Sequence, residues 1–160
     1  QKLKERYTAN NNVVLTQNNK GEFVSKTVKK LGKMKEIKIL ERGSGGICKS
    51  LLIEGTENTF KVLNEFNIRY ILNGSGTKIK RADGSEIFCS MLLPSGFFYV
   101  DMVHFGQNIV SYQLYGGGYG HGVGMSQNGA NRMAGSGMSC QDILTFFFPG
   151  TILVSYDNAG

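Results

Sequence analysis

The residues best suited to chemistry lie together in Gly116-Gly117-Gly118-Tyr119-Gly120-His121-Gly122-Val123-Gly124-Met125-Ser126-Gln127-Asn128-Gly129-Ala130, where six of the first nine residues are glycine. A run this poor in side chains costs much unfolded-chain entropy to order, so a fold keeps it for backbone geometry or for the close approach of a ligand. His121, set between Gly120 and Gly122, can hold its imidazole clear of neighbouring side chains and donate, accept or shuttle a proton near neutral pH. The opposing reading is a packed structural histidine. Ser126 stands where a helix N-cap is wanted, and Gln127 follows on the first turn, with an amide that can both donate and accept. Tyr119 offers a ring on which a sugar could stack, although tyrosines on hairpins also pack. The backbone N–H groups of Gly120, Gly122, Gly124 and Met125 complete the set that could meet a hydroxyl-rich or anionic group. Phosphate binding is the rival chemistry, but no Lys or Thr follows these glycines at P-loop spacing.

Around this segment the expected elements are mainly strands. Lys35–Glu41 alternates with period two, Gly43–Gly46 supplies a turn, and Leu51–Ile53 returns. Leu63, Phe66 and Tyr70 recur at helical intervals, so the spacing predicts a short helix between Val62 and Leu72. Asp83-Gly84 predicts a hairpin joining Thr77–Arg81 to Glu86–Leu92. A second hairpin, rich in aromatic and β-branched residues, joins Phe97–Phe105 to Ile109–Tyr115 through Gly106-Gln107-Asn108. After the glycines, Ala130, Met133 and Ala134 outline a small helix from Ser126 to about Gly135. Ser139 caps another, with Asp142 near its positive end and Pro149-Gly150 closing it. A strand from Thr151 to Tyr156 ends the sequence, while the polar, Asn-rich first 20 residues are expected to be loosely held. The predicted class is α+β, dominated by antiparallel strands and hairpins, with two short helices near the C-terminus.

Composition narrows the function. The 160 residues suffice for one respectable core, 41% hydrophobic content excludes a disordered chain, and no apolar run approaches the length of a membrane span. Glycine, at 22 residues, is about twice its usual share and favours a loop-rich β architecture. A net charge of +6 suits anionic surroundings, wall polymers or nucleic acid, or is simply a solvated surface. The lysines between Lys26 and Lys38 interleave with Val28, Leu31, Met34 and Ile37, a pattern of strand or turn surface and not of a nucleic-acid arm. Cys48, Cys89 and Cys140 are widely separated, as are His104 and His121, so neither a metal site nor any other cofactor is expected.

The stretch Gly118–Ala130, with Met133-Ala134, Ile143-Leu144 and Phe148-Pro149-Gly150-Thr151, resembles the C-terminal signature of the stage II sporulation protein D family, which includes the amidase enhancers. Weaker likeness extends upstream through Ser44-Gly45 to Gly55 and Ile68–Leu72. The resemblance implies either a single domain over residues 1–160 or the C-terminal part of a larger domain. It implies a cell-envelope location, anchored or secreted, and a lytic transglycosylase that cuts peptide-stripped peptidoglycan strands during engulfment. It also implies glycan strands, and a cell-wall amidase or other sporulation envelope proteins, as partners in place of nucleic acid. His121 and Gln127 would then support catalysis, and Tyr119, Gly120, Gly122, Gly124, Met125 and Ser126 would bind the glycan. The family's catalytic glutamate belongs to a Leu-Pro-Leu-Glu-x-Tyr motif followed by Glu-Met-Pro, and neither occurs in this sequence, nor does the Cys- and His-containing metal segment of some members. A transglycosylase needs one carboxylic acid to protonate the glycosidic oxygen. Asp101 and Glu54 are the candidates within the chain, each also readable as an ordinary surface acid. The implied alternative is a non-catalytic glycan-binding module that enhances an amidase.

Overall fold

A computed structural model describes residues 1–74, 76–89, 91–106 and 108–154. The chain divides into two compact units, residues 1–121 and 122–160.

The first unit is built on a five-stranded antiparallel sheet. In chain order its strands are β1 (Val14–Gln17), β2 (Phe23–Val24), β3 (Met34–Arg42), β4 (Cys48–Gly55) and β5 (Thr59–Leu63), arranged β2-β1-β5-β4-β3. Position in the sheet follows from side-chain type. β4 carries Cys48, Ser50, Leu51 and Ile53 into the interior and sits between two neighbours, whereas β3, with charged residues on its outer face, forms an edge. Charge on an edge strand discourages pairing with another chain. Leu51, Ile53, Val62 and Ile68 form the centre of the core, with Val14 and Phe60 in an adjoining cluster.

Two helices lie in this unit, α1 (Lys2–Ala9) and α2 (Glu65–Leu72). The opening residues, polar in composition, contain α1 and β1. α1 buries no residue fully, but Leu3 and Tyr7 pack half-buried against the core, and polar contacts tie it to α2 and its C-cap: Lys2 Nζ donates to the Tyr70 and Asn73 carbonyls, Arg6 Nε to Asn67 Oδ1 at 2.6 Å, and Tyr70 OH to Glu5 Oε2 at 2.7 Å. The helix expected from Val62 begins instead at Glu65, because Val62 and Leu63 complete β5 and Asn64 turns the chain at φ 58°.

Two hairpins follow. β6 (Lys78–Lys80) pairs with β7 (Glu86–Phe88), shorter than the strands expected there. β8 (Phe98–Phe105) pairs with β9 (Asn108–Gly116) about the expected turn, of which Gln107 lies outside the described residues. Register places Phe98, Val100, Tyr112 and Leu114 on the face packed against the core. Tyr99, Asp101, Gln113 and Tyr115 occupy the solvent face.

The second unit contains α3 (Gln127–Gly135) and α4 (Cys140–Phe147). Ser126 caps α3, its Oγ accepting the Gly129 N–H at 3.1 Å. Ser139 and Asp142 cap α4 reciprocally, a full capping box. Among the described residues of this unit Ile143 is the best buried, and a Cβ on Gly129 would lie 3.1 Å from Phe147 Cζ, so that glycine lets the two helices approach. The strand expected from Thr151 is absent at residues 151–154, and residues 155–160 lie outside the described residues. The architecture is α+β with mainly antiparallel sheets and two of its helices near the C-terminus, as the sequence predicts.

Candidate functional site

The glycine-rich segment leaves β9 at Gly116 and is fixed to the first unit by backbone hydrogen bonds. Gly117 N–H donates to Phe97 O at 3.0 Å and Gly120 N–H to Pro94 O at 2.8 Å, with a parallel bridge between Ser95 and Gly120. The Pro94 carbonyl is itself positioned by α2. Arg69, a buried side chain, donates from Nη2 to Pro94 O at 3.1 Å, from Nε to Leu93 O at 2.8 Å and from Nη1 to Glu65 Oε2 at 3.0 Å. One oxygen thus receives both a helix guanidinium and a glycine-loop amide.

The conformations explain the glycines. Gly118, Gly120, Gly122 and Gly124 take φ of 80°, 113°, 70° and 87°, all in the region that L-residues with a Cβ avoid. The residues between them are not in that region, so the hand of the backbone alternates along the segment. Tyr119, on this backbone, is 94% exposed. His121 is exposed as well, which excludes the sealed interior position of a core histidine. In the second unit Gly122, Gly124, Met125, Ser126 and Gln127 are all exposed, with the Ser126 hydroxyl engaged as the α3 cap.

The acid candidates sit in ordinary surroundings. Glu54 Oε1 meets Lys35 Nζ at 3.5 Å where β4 faces the edge strand, and Asp101 is exposed opposite Gln113. Neither is enclosed by apolar groups. Among the described residues no group of three or more His, Cys, Asp or Glu side chains is placed to hold a metal ion. Cys48 is buried, and burial pushes its thiol up to about 11.

The sequence pattern did not single out a cleft of about 560 Å³ lined by Arg42, Gly46, Phe97, Phe98, Tyr99, Tyr115 and Gly116. Tyr99 and Tyr115 face each other across the β8–β9 pair and stack, with ring centroids 5.1 Å apart and planes 16° from parallel. Arg42 closes the other side, Nη1 donating to Gly46 O at 2.7 Å and Nη2 to Phe98 O at 2.6 Å. The residues that make this cleft are 74 positions apart at their extremes, from Arg42 to Gly116, so only the hairpin pairing carried a readable hint of it.

The chain is thus an antiparallel α+β protein whose glycine-rich segment leaves Tyr119 and His121 exposed. The chain belongs to the family described as Domain of unknown function (DUF8618), whose model matches residues 5–124. Two curated proteins of Bacillus subtilis (strain 168) are similar to short stretches of it. Amidase enhancer is 56% identical over 45 residues, 28% of this chain and 6% of that protein. Stage II sporulation protein D is 50% identical over 40 residues, 25% of this chain and 12% of that protein. The chain therefore matches only a small part of either relative's length. No solved structure matches.

Proposed function

We propose that this chain is the glycan-engaging part of an extracytoplasmic protein of the bacterial cell wall, acting in sporulation on peptide-stripped peptidoglycan strands. The single observation that supports the reading most is the exposed Tyr119 and His121 on an alternating-hand glycine backbone anchored at Pro94 O. Tyr119 offers a flat surface for the C–H face of a pyranose, and His121 offers a ring nitrogen to a sugar hydroxyl or glycosidic oxygen. Gly120 contributes the rigid backbone of the loop. In the second unit Gly122, Gly124, Met125, Ser126 and Gln127 offer amides, a hydroxyl and a carboxamide to the same class of polymer. Similarity to a protein named Stage II sporulation protein D supports the sporulation setting.

In this reading the chain belongs to a lytic transglycosylase, with His121 and Gln127 supporting a carboxylic acid that the chain's own Glu54 and Asp101 are poorly placed to replace. Transglycosylation requires that acid to protonate the leaving oxygen and its carboxylate to assist attack by the sugar's own hydroxyl. The exposed setting of Asp101 and the half-buried, Lys35-paired setting of Glu54 favour a second reading, a binding module that stimulates a cell-wall amidase, and similarity to a protein named Amidase enhancer supports it.

Incubation with peptide-free glycan strands tests both. The parent chain co-sediments with the strands, His121→Ala binds at least about tenfold more weakly with an unchanged melting curve, and mass spectrometry of the supernatant separates the readings. Anhydro-muramyl products indicate the transglycosylase, whereas binding without products, together with stimulation of a cell-wall amidase on intact sacculi, indicates the module. Equal binding by His121→Ala and the parent overturns the proposal, as does affinity for single-stranded DNA that exceeds that for glycan and collapses with salt.

A further inference from the structure

We infer that the cleft between the β3–β4 turn and the β8–β9 hairpin is a separate subsite for a sugar ring bearing a carboxylate. The inference rests on the glycan reading above and names a chemical feature of the glycan that the His121 segment does not address.

Three properties of the cleft carry it. Tyr99 and Tyr115 are 57% and 45% exposed, although the opposite face of the same hairpin already satisfies the core through Phe98, Val100 and Leu114. Two tyrosines stacked on a solvent face hold each other flat, and pre-ordered rings suit C–H stacking against a pyranose because little rotamer entropy remains to be lost.

The cleft is also kept open by glycines. A Cβ on Gly46 would come within 2.5 Å of the Phe97 ring, and one on Gly116 within 2.4 Å of Phe97 O. A side chain at either position would displace Phe97 from its place in the cleft wall. At about 560 Å³ the volume falls within the range of small-ligand sites and accommodates a sugar unit with its substituents.

Finally, the cleft has a fixed cation. Arg42 spends one N–H of each Nη on the Gly46 and Phe98 carbonyls, which orients its guanidinium without neutralising it. Among the described residues no carboxylate forms an ion pair with it. A neutral sugar would take only hydrogen bonds from this group and leave its charge uncompensated, and a phosphate polymer would ordinarily meet several cations. One oriented guanidinium beside two stacked rings matches a pyranose with a single carboxylate, such as the lactyl group that a muramic acid residue exposes once its peptide stem is removed.

Calorimetry on the full chain with three tetrasaccharides tests the subsite: one alternating N-acetylglucosamine with N-acetylmuramic acid and bearing free lactyl carboxylates, its carboxamide, and chitotetraose. The free acid binds about tenfold more tightly than the carboxamide, and Arg42→Gln brings the two together. Tyr99→Ala and Tyr115→Ala weaken all three roughly fivefold. Should Arg42→Gln fold poorly, salt serves instead: in the parent the acid-to-amide ratio shrinks on raising salt from about 0.05 to about 0.5 M. Equal affinities for acid and amide, a preference that survives in Arg42→Gln, or chitotetraose binding untouched by both tyrosine variants overturns the subsite. If chitotetraose binds in a His121-dependent manner while the acid gains nothing, the subsite falls and the glycan reading stands. If no sugar binds, both fall.

Discussion

Replacing Arg69 by Met is expected to damage stability and the glycine segment together, through one carbonyl. The guanidinium makes three hydrogen bonds, at 2.8, 3.0 and 3.1 Å, to Leu93 O, Glu65 Oε2 and Pro94 O. The Arg69 and Glu65 side chains are only 10% and 18% exposed. Deleting one partner of a pair this enclosed strands the other charge, a loss of about 3–5 kcal/mol, and Met returns part of the packing but none of the donors. We take about 3 kcal/mol, which lowers the melting temperature by roughly 10 °C for a chain of this size. Glu65→Gln in the same background removes the stranded carboxylate, so the double variant recovers at least about 1 kcal/mol relative to additivity. Thermal and urea unfolding of the four proteins measure the coupling. Amide exchange measures the second consequence. With Arg69 gone, Pro94 O loses its buried anchor, so the Gly120 N–H, which donates to it at 2.8 Å, exchanges faster than amides of β4 and β5 do. A coupling near zero, or Gly120 protection that falls no more than that of the core strands, refutes the proposed link between α2 and the loop.

Three further outcomes follow from the same structure. Gly116→Ala places a Cβ 2.4 Å from Phe97 O and 2.8 Å from Phe98 Cβ, a backbone clash that costs about 2 kcal/mol, whereas Gly45→Ala, with nothing within 4 Å and no positive φ, leaves the melting temperature within about 2 °C. Urea unfolding at pH 7 compares the two. For Cys48, with its thiol near 11 in the folded chain against 9.0 when unperturbed, the unfolded chain ionises first as pH rises. The native state therefore holds more protons over that interval, and stability falls from pH 9 to 11 in a Cys48-dependent manner that Cys48→Ala removes. At pH 8, iodoacetamide labels exposed Cys140 and leaves buried Cys48 unmodified, as peptide mapping reads directly.

How much of this was legible depends on the kind of signal. Strand alternation located β3 and β4, and the 106–108 turn gave a hairpin whose pairing sets Tyr99 opposite Tyr115. Ser126 and Ser139 were readable as caps because capping is local chemistry, and both accept the expected backbone N–H. α1 was not legible, since Leu3 and Tyr7 are its main apolar contacts to the core and its polar anchors lie on residues more than 60 positions away. The start of α2 was misplaced because Asn64 adopts a left-handed turn that non-glycine residues seldom take, which let Leu63 pass for a helical residue. Arg42 in the cleft left no trace in the sequence. It is one arginine on a charged edge strand, and only folding brings it to Phe98.

The alternating hand of residues 118–124 carries a warning for genetic dissection of the segment. Substitutions at every second position will be harmful for a reason independent of any sugar, because a mirror-image dihedral is what the side chain offends. A map of intolerance with period two would thus report chirality. At the intervening Tyr119 and His121 the backbone region is the ordinary one for L-residues, so a loss of activity there has to originate beyond Cβ.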